Sequence, residues 1–327
     1  MRPFAYEQAQ EAAWAVASVQ RAPDAMFIGG GTNLVDLMRL GVAEPATLVD
    51  VSRLPYDRVE EHPGGGLTIG AAVRNSDLAA HQGMRRAYPM LAQAVLSGAS
   101  GQVRNMATTA GNLLQRTRCG YFQDISKRCN KRDPGSGCPA REGDHRNLAI
   151  IGHSPACVAT HPSDLAVALV ALDAVVHVEG PDGPRAIPMT ELYRLPGDDP
   201  RHDTVLRPAD LITEVTVPAL PFAARSAYRK VRDRASFAFA VVSVAAAVQV
   251  ADGVVRDCRI AFGGIAHKPW RAELAEDALR GGDLTERTFT RAADAELERA
   301  RPLRDNRFKV ALARNLLART LTELVVS

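Results

Sequence analysis

Residues 25–35 read AMFIGGGTNLV, a short apolar run that enters three glycines and continues into a helix-like pattern. This order predicts a strand, a glycine-rich turn and the start of a helix. Glycines let the backbone approach a ligand closely, and the free N–H groups at a helix start favour a phosphate. The turn is not a Rossmann fingerprint, because Leu34 occupies the place of the last glycine, and no Lys-Ser or Lys-Thr follows as in a Walker A loop. Alone, the stretch indicates either a phosphate site or an ordinary strand-to-helix turn.

The composition is typical of a globular protein and excludes some classes of function. Of the 327 residues, 46% are hydrophobic and 24% are charged, which predicts two or three domains. The net charge of +3 is too small to indicate a nucleic-acid-binding protein. The longest apolar run, residues 237–250, is too short to span a bilayer, and no signal-peptide pattern is present. We therefore expect no membrane insertion, and synthesis as a soluble chain in the cytoplasm.

The pattern of apolar residues predicts an α+β chain in three parts. A small α/β lobe covers residues 1–55, and a larger lobe covers residues 56–221, interrupted by a polar, cysteine-rich insertion at residues 116–157. Residues 222–327 are predicted to form an antiparallel sheet covered by helices, with a hairpin turn at Asp252-Gly253. Strands are predicted at residues 47–51, 67–71, 174–179, 228–231, 241–250 and 254–262, and helices at residues 7–20, 269–279, 285–298 and 305–323.

A second stretch, residues 106–113 (MATTAGNL), also has the small residues and hydroxyls that allow a backbone to lie against a ligand. Close packing of a helix on a backbone would explain the same composition. No Ser/His/Asp order and no H-E-x-x-H helix is present, so no catalytic residue is predicted. This absence indicates a chain that moves electrons and not protons.

Four of the five cysteines crowd into the insertion, which favours a metal or iron–sulfur site over disulfides. They are Cys119, Cys129, Cys138 and Cys157, separated by nine, eight and eighteen residues. This spacing is neither the C-x2-C pairing of most structural zinc sites nor the ferredoxin run, so zinc and a cluster both stay open. His153 and His161 flank the last cysteine and are further candidate ligands. Arg and Lys outnumber Asp and Glu in the insertion, which suits an anionic cluster but is also typical of a solvated surface.

Four motifs, taken together, carry a resemblance to a known family. They are FIGGGTNL at residues 27–34, ATTAGNL at residues 107–113, Ser163-Asp164, and YRKVRDR at residues 228–234. In this order they resemble the FAD-binding subunits of the molybdenum hydroxylases, the xanthine dehydrogenase and aldehyde oxidoreductase family. The resemblance covers essentially the whole chain. It implies a two-lobed FAD-binding domain of the vanillyl-alcohol-oxidase-like type, followed by a small C-terminal domain.

The resemblance also implies which residues hold the FAD. The glycine turn would hold the pyrophosphate through backbone N–H groups, and Asp164 and Lys230 would lie on the flavin side, where a positive charge favours reduced flavin. Ala110 departs from the glycine that the family often has, so it is not assigned to the cofactor. The residues implied to bind FAD are Phe27, Ile28, Gly29, Gly30, Gly31, Thr32, Asn33, Leu34, Thr108, Gly111, Asn112, Asp164 and Lys230.

The cysteine insertion is similar to one in the flavin subunits of 4-hydroxybenzoyl-CoA reductase and of the bacterial periplasmic aldehyde oxidoreductase, which carry an extra [4Fe–4S] cluster. By this resemblance Cys119, Cys129, Cys138 and Cys157 would ligate such a cluster. Cys258 falls within a predicted strand and is expected to be an inert core residue.

The implied function is electron transfer within a heterotrimeric aldehyde oxidoreductase. A partner with a molybdenum cofactor would oxidise aldehydes to carboxylic acids, and a partner with [2Fe–2S] clusters would pass electrons to the FAD and on to an external acceptor. The alternatives are a subunit of another molybdenum hydroxylase (xanthine dehydrogenase-like or aromatic acyl-CoA reductase-like) and a zinc-stabilised scaffold. A self-sufficient flavin oxidase is disfavoured because the last hundred residues lack acid/base groups. The resemblance implies the periplasm, by co-export with a signal-bearing partner, and the cytoplasm is the alternative.

Overall fold

The computed structural model describes residues 1–326, which fold around three β-sheets. The strands are β1 (Ala5–Gln8), β2 (Ala25–Ile28), β3 (Thr47–Asp50), β4 (Val59–Glu61), β5 (Leu67–Gly70), β6 (Val175–Gly180), β7 (Gly183–Pro188), β8 (Leu211–Val217), β9 (Ser226–Val231), β10 (Val242–Ala251), β11 (Val254–Gly263) and β12 (Trp270–Arg271). The helices are α1 (Ala12–Arg21), α2 (Leu34–Arg39), α3 (Asn75–Ala80), α4 (Gln82–Ala87), α5 (Pro89–Ser97), α6 (Gly101–Arg104), α7 (Thr109–Leu113), α8 (Gly120–Gln123), α9 (Asp164–Ala171), α10 (Met189–Leu192), α11 (Glu273–Leu279), α12 (Glu286–Leu297) and α13 (Phe308–Val326).

The first sheet is parallel, with β3 between β1 and β2. Its central strand carries the buried Leu48 and Val49, as expected for a strand with a neighbour on each side. The predicted helix over residues 7–20 is wrong at its start, because residues 5–8 form β1 and the helix begins at Ala12. Pairing with β3 satisfies the backbone of β1, and the Tyr6 hydroxyl donates to the Asp50 carboxylate at the end of β3.

The second sheet is antiparallel, in the order β4-β5-β8-β6-β7. Its central strand, β8, is absent from the predicted strands, because Pro208 and Pro218 flank it and prolines are typical of a break between elements. Helix α9 packs between this lobe and the third sheet, touching α5 on one side and β10 and β11 on the other. Each of its eight residues is buried, which explains its apolar sequence after Asp164.

The third sheet is antiparallel, in the order β12-β11-β10-β9, and confirms the predicted C-terminal sheet covered by helices. Strands β10 and β11 meet at the predicted hairpin turn, where Asp252 and Gly253 have φ of 55° and 74°. Helices α11, α12 and α13 share an apolar core with the sheet, and Cys258 is a buried member of it. The predicted domain limits near residues 55 and 221 stay predictions.

Helix α13 and the residues just before it are also tied to the segment between Cys138 and Cys157. The Asn306 amide and the fully buried Lys309 ammonium donate to backbone carbonyls in residues 145–149, and Lys309 also donates to the Gly264 carbonyl. The insertion itself is mostly irregular, with α8 and a 3₁₀ turn at Pro139–Arg141 as its regular elements. Among residues 1–326, no helix is both long and apolar enough to cross a bilayer.

Candidate functional site

Two neighbouring cavities form one long cleft beside the glycine turn. The first, with an empty volume of about 1200 Å³, lies between the first two sheets, and the second, of about 1370 Å³, lies beside α5, α9 and β9. Thr32, Asn33 and Gly111 line both cavities, so the two cavities adjoin at these residues. The two cavities together suit an extended ligand.

All thirteen residues predicted to bind the cofactor line this cleft. The first cavity is bounded by the whole glycine turn, residues 27–34, together with Thr108 and Gly111. The second is bounded by Asn112, Asp164 and Lys230. The structure therefore brings together segments that are more than 200 residues apart in the sequence.

The glycine turn is pressed against the second predicted stretch. A Cβ on Gly30 would lie 1.8 Å from the Met106 carbonyl oxygen, and a Cβ on Gly29 would lie 3.0 Å from the Thr108 hydroxyl oxygen. Gly31 has a φ of +71°, which residues with a side chain rarely adopt. The glycines are therefore required for the two walls of the cleft to approach each other.

Polar side chains hold the opposite wall. The Thr108 hydroxyl caps α7 by accepting a hydrogen bond from the Gly111 N–H at 3.2 Å, and the Ser163 hydroxyl donates to the Asn112 amide oxygen at 2.6 Å. Asn33 accepts the Arg116 backbone N–H at 3.0 Å. The buried Nδ2 of Asn33 has no hydrogen-bond partner within residues 1–326. A ligand with acceptor oxygens in the cleft would satisfy this donor.

The second cavity has a buried ion pair in its wall. The Lys230 ammonium donates to the Asp164 carboxylate at 2.7 Å and to the Ser97 carbonyl at 3.0 Å, and the two side chains are only 3% and 7% exposed. The Tyr228 hydroxyl donates to the other Asp164 oxygen at 2.5 Å. Burial and this neighbouring carboxylate raise the pKa of Tyr228 well above its ordinary value, so the phenol stays protonated. The arrangement leaves one Lys230 N–H available to a ligand.

Two aromatic residues at this cavity were missed from the sequence. Phe237 and Phe239 line it and are 56% and 47% exposed, and the Arg118 guanidinium stacks on the Phe239 ring at 4.9 Å. They were interpreted as the beginning of an apolar run at residues 237–250. The signal that could have separated them is the alternation Phe-Ala-Phe next to charged residues, followed only later by the continuous apolar strand β10.

The four clustered cysteines surround a single cavity with an empty volume of about 310 Å³. Cys119 and Cys157 are buried, Cys129 and Cys138 are half-buried, and all four are free thiols. Burial raises the pKa of Cys157 to about 12, and the nearby Lys131 ammonium opposes this shift. Backbone N–H groups also point at the sulfurs: those of Tyr121 and Phe122 at Cys119, that of Ala159 at Cys157, and those of Ala140, Arg141 and Val158 at Cys138. Within residues 1–326, no group of three or more His, Cys, Asp or Glu side chains has the geometry to hold a metal ion.

Only a thin layer of side chains separates the cysteine cavity from the cleft. Leu37 packs in the apolar cluster that contains Cys119 and Cys157, and it also lines the first cavity of the cleft. Arg116 lines the same cavity and stacks on Phe122, which lines the cysteine cavity. The cysteine cavity and the cleft are therefore separated by a layer one residue thick at Leu37 and at Arg116.

A glycine turn at a helix start beside a long cleft is typical of proteins that bind a phosphate-containing cofactor. Comparison with known families makes the class specific. Residues 2–220 match the FAD binding domain in molybdopterin dehydrogenase, and residues 226–324 match the CO dehydrogenase flavoprotein C-terminal domain. The chain belongs to the family of FAD-binding subunits of the molybdenum hydroxylases, which are oxidoreductases.

Individual relatives agree with this assignment. The chain is 52% identical over 324 residues to the aldehyde oxidoreductase FAD-binding subunit PaoB of Escherichia coli, covering 99% of this chain and 98% of that protein. It is 27% identical to the carbon monoxide dehydrogenase medium chain of Hydrogenophaga pseudoflava, covering 97% and 96%. A solved structure of carbon monoxide dehydrogenase from that organism superposes with a TM-score of 0.76 at 26% identity, covering 100% and 99%. Quinoline 2-oxidoreductase from Pseudomonas putida shares the fold, with a TM-score of 0.77 at 20% identity and coverage of 99% and 98%. The predicted family, fold class and oxidoreductase class are confirmed.

Proposed function

We propose that this chain is the FAD- and [4Fe–4S]-containing electron-transfer subunit of a molybdenum-dependent aldehyde oxidoreductase. The observation that carries the proposal is the pairing of two sites: a long cleft lined by every predicted FAD residue, and a cavity lined by four thiols directly beside it. The aldehyde specificity is drawn from the 52% identity to the Escherichia coli aldehyde oxidoreductase subunit.

The cleft fits FAD in shape and in donors. Backbone N–H groups of the glycine turn and the unpaired Asn33 amide would bind the pyrophosphate, and the close approach at Gly30 keeps bulky side chains out of its path. Lys230 would hold a positive charge beside the flavin ring, with Asp164 fixing its position. FAD supplies a group that collects electrons singly and releases them in pairs.

The cysteine cavity fits an iron–sulfur cluster in its donor set. Four thiols are the complete ligand set of such a cluster, and backbone N–H groups directed at the sulfurs stabilise thiolates. The Lys131 ammonium adds positive charge beside Cys157, which suits an anionic group. Cys258 lies away from this cavity in the core of the third sheet and is assigned no ligand role.

The remaining parts of the enzyme would come from partner subunits. A subunit with [2Fe–2S] clusters would deliver electrons, and a subunit with the molybdenum cofactor would oxidise the aldehyde, giving a heterotrimer. The chain would deliver its electrons to an external acceptor. We place the complex in the periplasm by co-export on a partner's signal, which fractionation of cells expressing all subunits tests directly. Recovery of the assembled complex only from the cytoplasm would refute that placement.

The experiment is a paired cysteine substitution in the complex purified without oxygen. Cys157→Ser should lose the iron and the reduced-cluster EPR signal of this subunit, whereas the matched control Cys258→Ser should keep both. FAD should be near one per chain, and iron attributable to this subunit should be near four per chain. Zinc in place of iron would reduce the cysteine site to a structural clip, and a wild-type subunit without flavin would refute the main proposal. Activity assays of the complex with aldehydes, xanthine and aromatic acyl-CoA thioesters distinguish an aldehyde oxidoreductase from the xanthine dehydrogenase-like and aromatic acyl-CoA reductase-like alternatives.

A further inference from the structure

A buried cluster of charges lies between the cysteine cavity and the loop over residues 194–204. Its centre is the ammonium of Lys131, whose side chain is 1% exposed. This ammonium donates to the Pro200 carbonyl at 2.8 Å and to the Asp203 carboxylate at 2.5 Å. A lysine in a polar loop normally extends into water, and a buried ammonium needs partners that compensate its charge.

Asp203 joins two cations that come from different parts of the chain. One carboxylate oxygen accepts from Lys131, and the other accepts from the Arg116 guanidinium at 2.5 Å. Burial alone would raise the pKa of Asp203, but the two cations hold it at about 2, so the carboxylate is ionised at neutral pH. The cluster therefore contains two positive charges and one negative charge.

Each of these cations belongs to one of the two sites described above. Lys131 lines the cysteine cavity, and its charge acts on Cys157. Arg116 lines the cleft, and its backbone N–H binds Asn33 in the glycine turn. Asp203 is thus a single hydrogen bond away from a residue of each site.

The other titratable groups around Asp203 do not change this count of charges. His267 places its Nε2 at 3.7 Å from an Asp203 oxygen, and its Nδ1 contacts the Arg194 carbonyl. Burial lowers the pKa of His267 to about 4, and it lowers the pKa of His161 to about 3, so both rings are neutral at pH 7. Tyr193, whose pKa burial raises, is also uncharged.

We propose that Asp203 acts through the Lys131 ammonium beside the cysteine cavity, offsetting part of its positive charge, and so sets the reduction potential of the group held there. The inference rests on the proposed function, since it needs a redox-active cluster in that cavity. Buried charges act strongly on one another because little water screens them, and the potential of an iron–sulfur cluster depends on nearby charge and on hydrogen bonding. A cation beside the cluster stabilises the added electron, and a carboxylate behind that cation weakens the effect.

The test is a pair of substitutions with opposite expected shifts. Asp203→Asn removes a negative charge while Pro200 still binds Lys131, so the midpoint potential of the four-iron EPR signal should rise. Lys131→Met removes the positive charge, so the potential should fall. Asp199→Asn is the matched control, because Asp199 lies in the same loop, has a side chain that is 41% exposed and pairs with the exposed Arg201 at 2.8 Å. The potential of this variant should equal that of the wild type.

The measurement uses the assembled complex, with flavin content, iron content and melting temperature recorded for every variant. A purely structural role would lower iron content or melting temperature but would not move the potential in opposite directions. If Asp203→Asn does not retain a cluster, the midpoint potential measured in Lys131→Met still tests the inference, because a value equal to that of the wild type overturns it. A wild-type complex with no iron in this subunit overturns the proposed function and this inference together. Iron in the wild type with unshifted potentials in the variants overturns this inference alone.

Discussion

Replacing Gly30 with alanine tests whether the two walls of the cleft must touch. The added Cβ would lie 1.8 Å from the Met106 carbonyl oxygen, whereas real contacts of this kind stay above 3.0 Å. The two backbone segments must therefore separate by about 1.2 Å, and overpacking of this kind costs about 1–3 kcal/mol of folding free energy. Neither neighbour is a flexible side-chain end, so the strain cannot be relieved locally.

The same displacement should weaken FAD binding. Moving a backbone N–H by about 1.2 Å takes it from hydrogen-bond distance to beyond reach of a phosphate oxygen. A lost hydrogen bond to a charged group is worth about 1.5–3 kcal/mol, which corresponds to roughly 10- to 100-fold weaker FAD binding. Gly30→Ala should therefore show both effects, a lower melting temperature and a weaker cofactor affinity.

The assay is FAD titration of the deflavinated protein, followed by flavin fluorescence, with thermal melting of each variant. Gly101→Ala is the matched control, because a Cβ at Gly101, in the short helix α6, meets no atom within 4 Å. The control should bind FAD as the wild type does. If Gly30→Ala binds FAD and melts like Gly101→Ala, the close approach of the two walls is not required and the reasoning is wrong.

Three further predictions address the ion pair, the pH dependence and the helix cap. Lys230→Met leaves the buried Asp164 without its counter-ion and should lower the free energy of unfolding by about 3 kcal/mol, measured by urea denaturation; a variant as stable as the wild type contradicts this. Burial lowers the pKa of His267 from its ordinary 6.5 to about 4. Between these two pH values the histidine is protonated in the unfolded chain but neutral in the folded one. Lowering the pH through this range should therefore reduce the free energy of unfolding by up to about 3 kcal/mol. His267→Gln should reduce this loss of unfolding free energy between pH 6.5 and 4. If the variant and the wild type lose the same amount, the lowered pKa of His267 is not its cause. Thr108→Ala should cost about 1 kcal/mol and also lose flavin, whereas Thr285→Ala, which removes the cap of α12, should cost as much and keep flavin.

The residues of the cleft could be predicted because their roles are local. Three glycines after a strand meet a requirement of the local backbone. A hydroxyl residue before a short helix does the same, so both patterns can be recognised within a few residues of sequence. Gly31 needs its positive φ and Thr108 caps α7 whichever distant segment lies opposite. These signals are strong in sequence, and the family resemblance added the pairing between them.

The failures concern pairing over long distances. Strand β1 has no apolar alternation of its own, and its partner β3 follows about 40 residues later. Strand β8 becomes central because it pairs with β5, far earlier in the chain. A local pattern does not contain such partners, so the last two residues of β1 were predicted as the start of a helix and β8 was omitted.

The charges around the cysteines show the same limit. Lys131 and Asp203 are 72 residues apart, and each is surrounded in sequence by polar residues. Nothing local distinguishes them from a solvated surface, which is why the insertion's basic residues allowed two interpretations. Burial is a property of the assembled fold and could only be found there.

The anchoring of the cysteine segment by α13 has a consequence for biosynthesis. Lys309 and Leu148 are 161 residues apart, so the anchor forms only after the ribosome has added the residues between them. Until then the nascent cysteine segment lacks the carbonyl contacts that order residues 145–149. Any group that the four thiols hold before then would lack this anchor, and a stop codon ahead of Asn306 would remove the anchor even though all four clustered cysteines had been made.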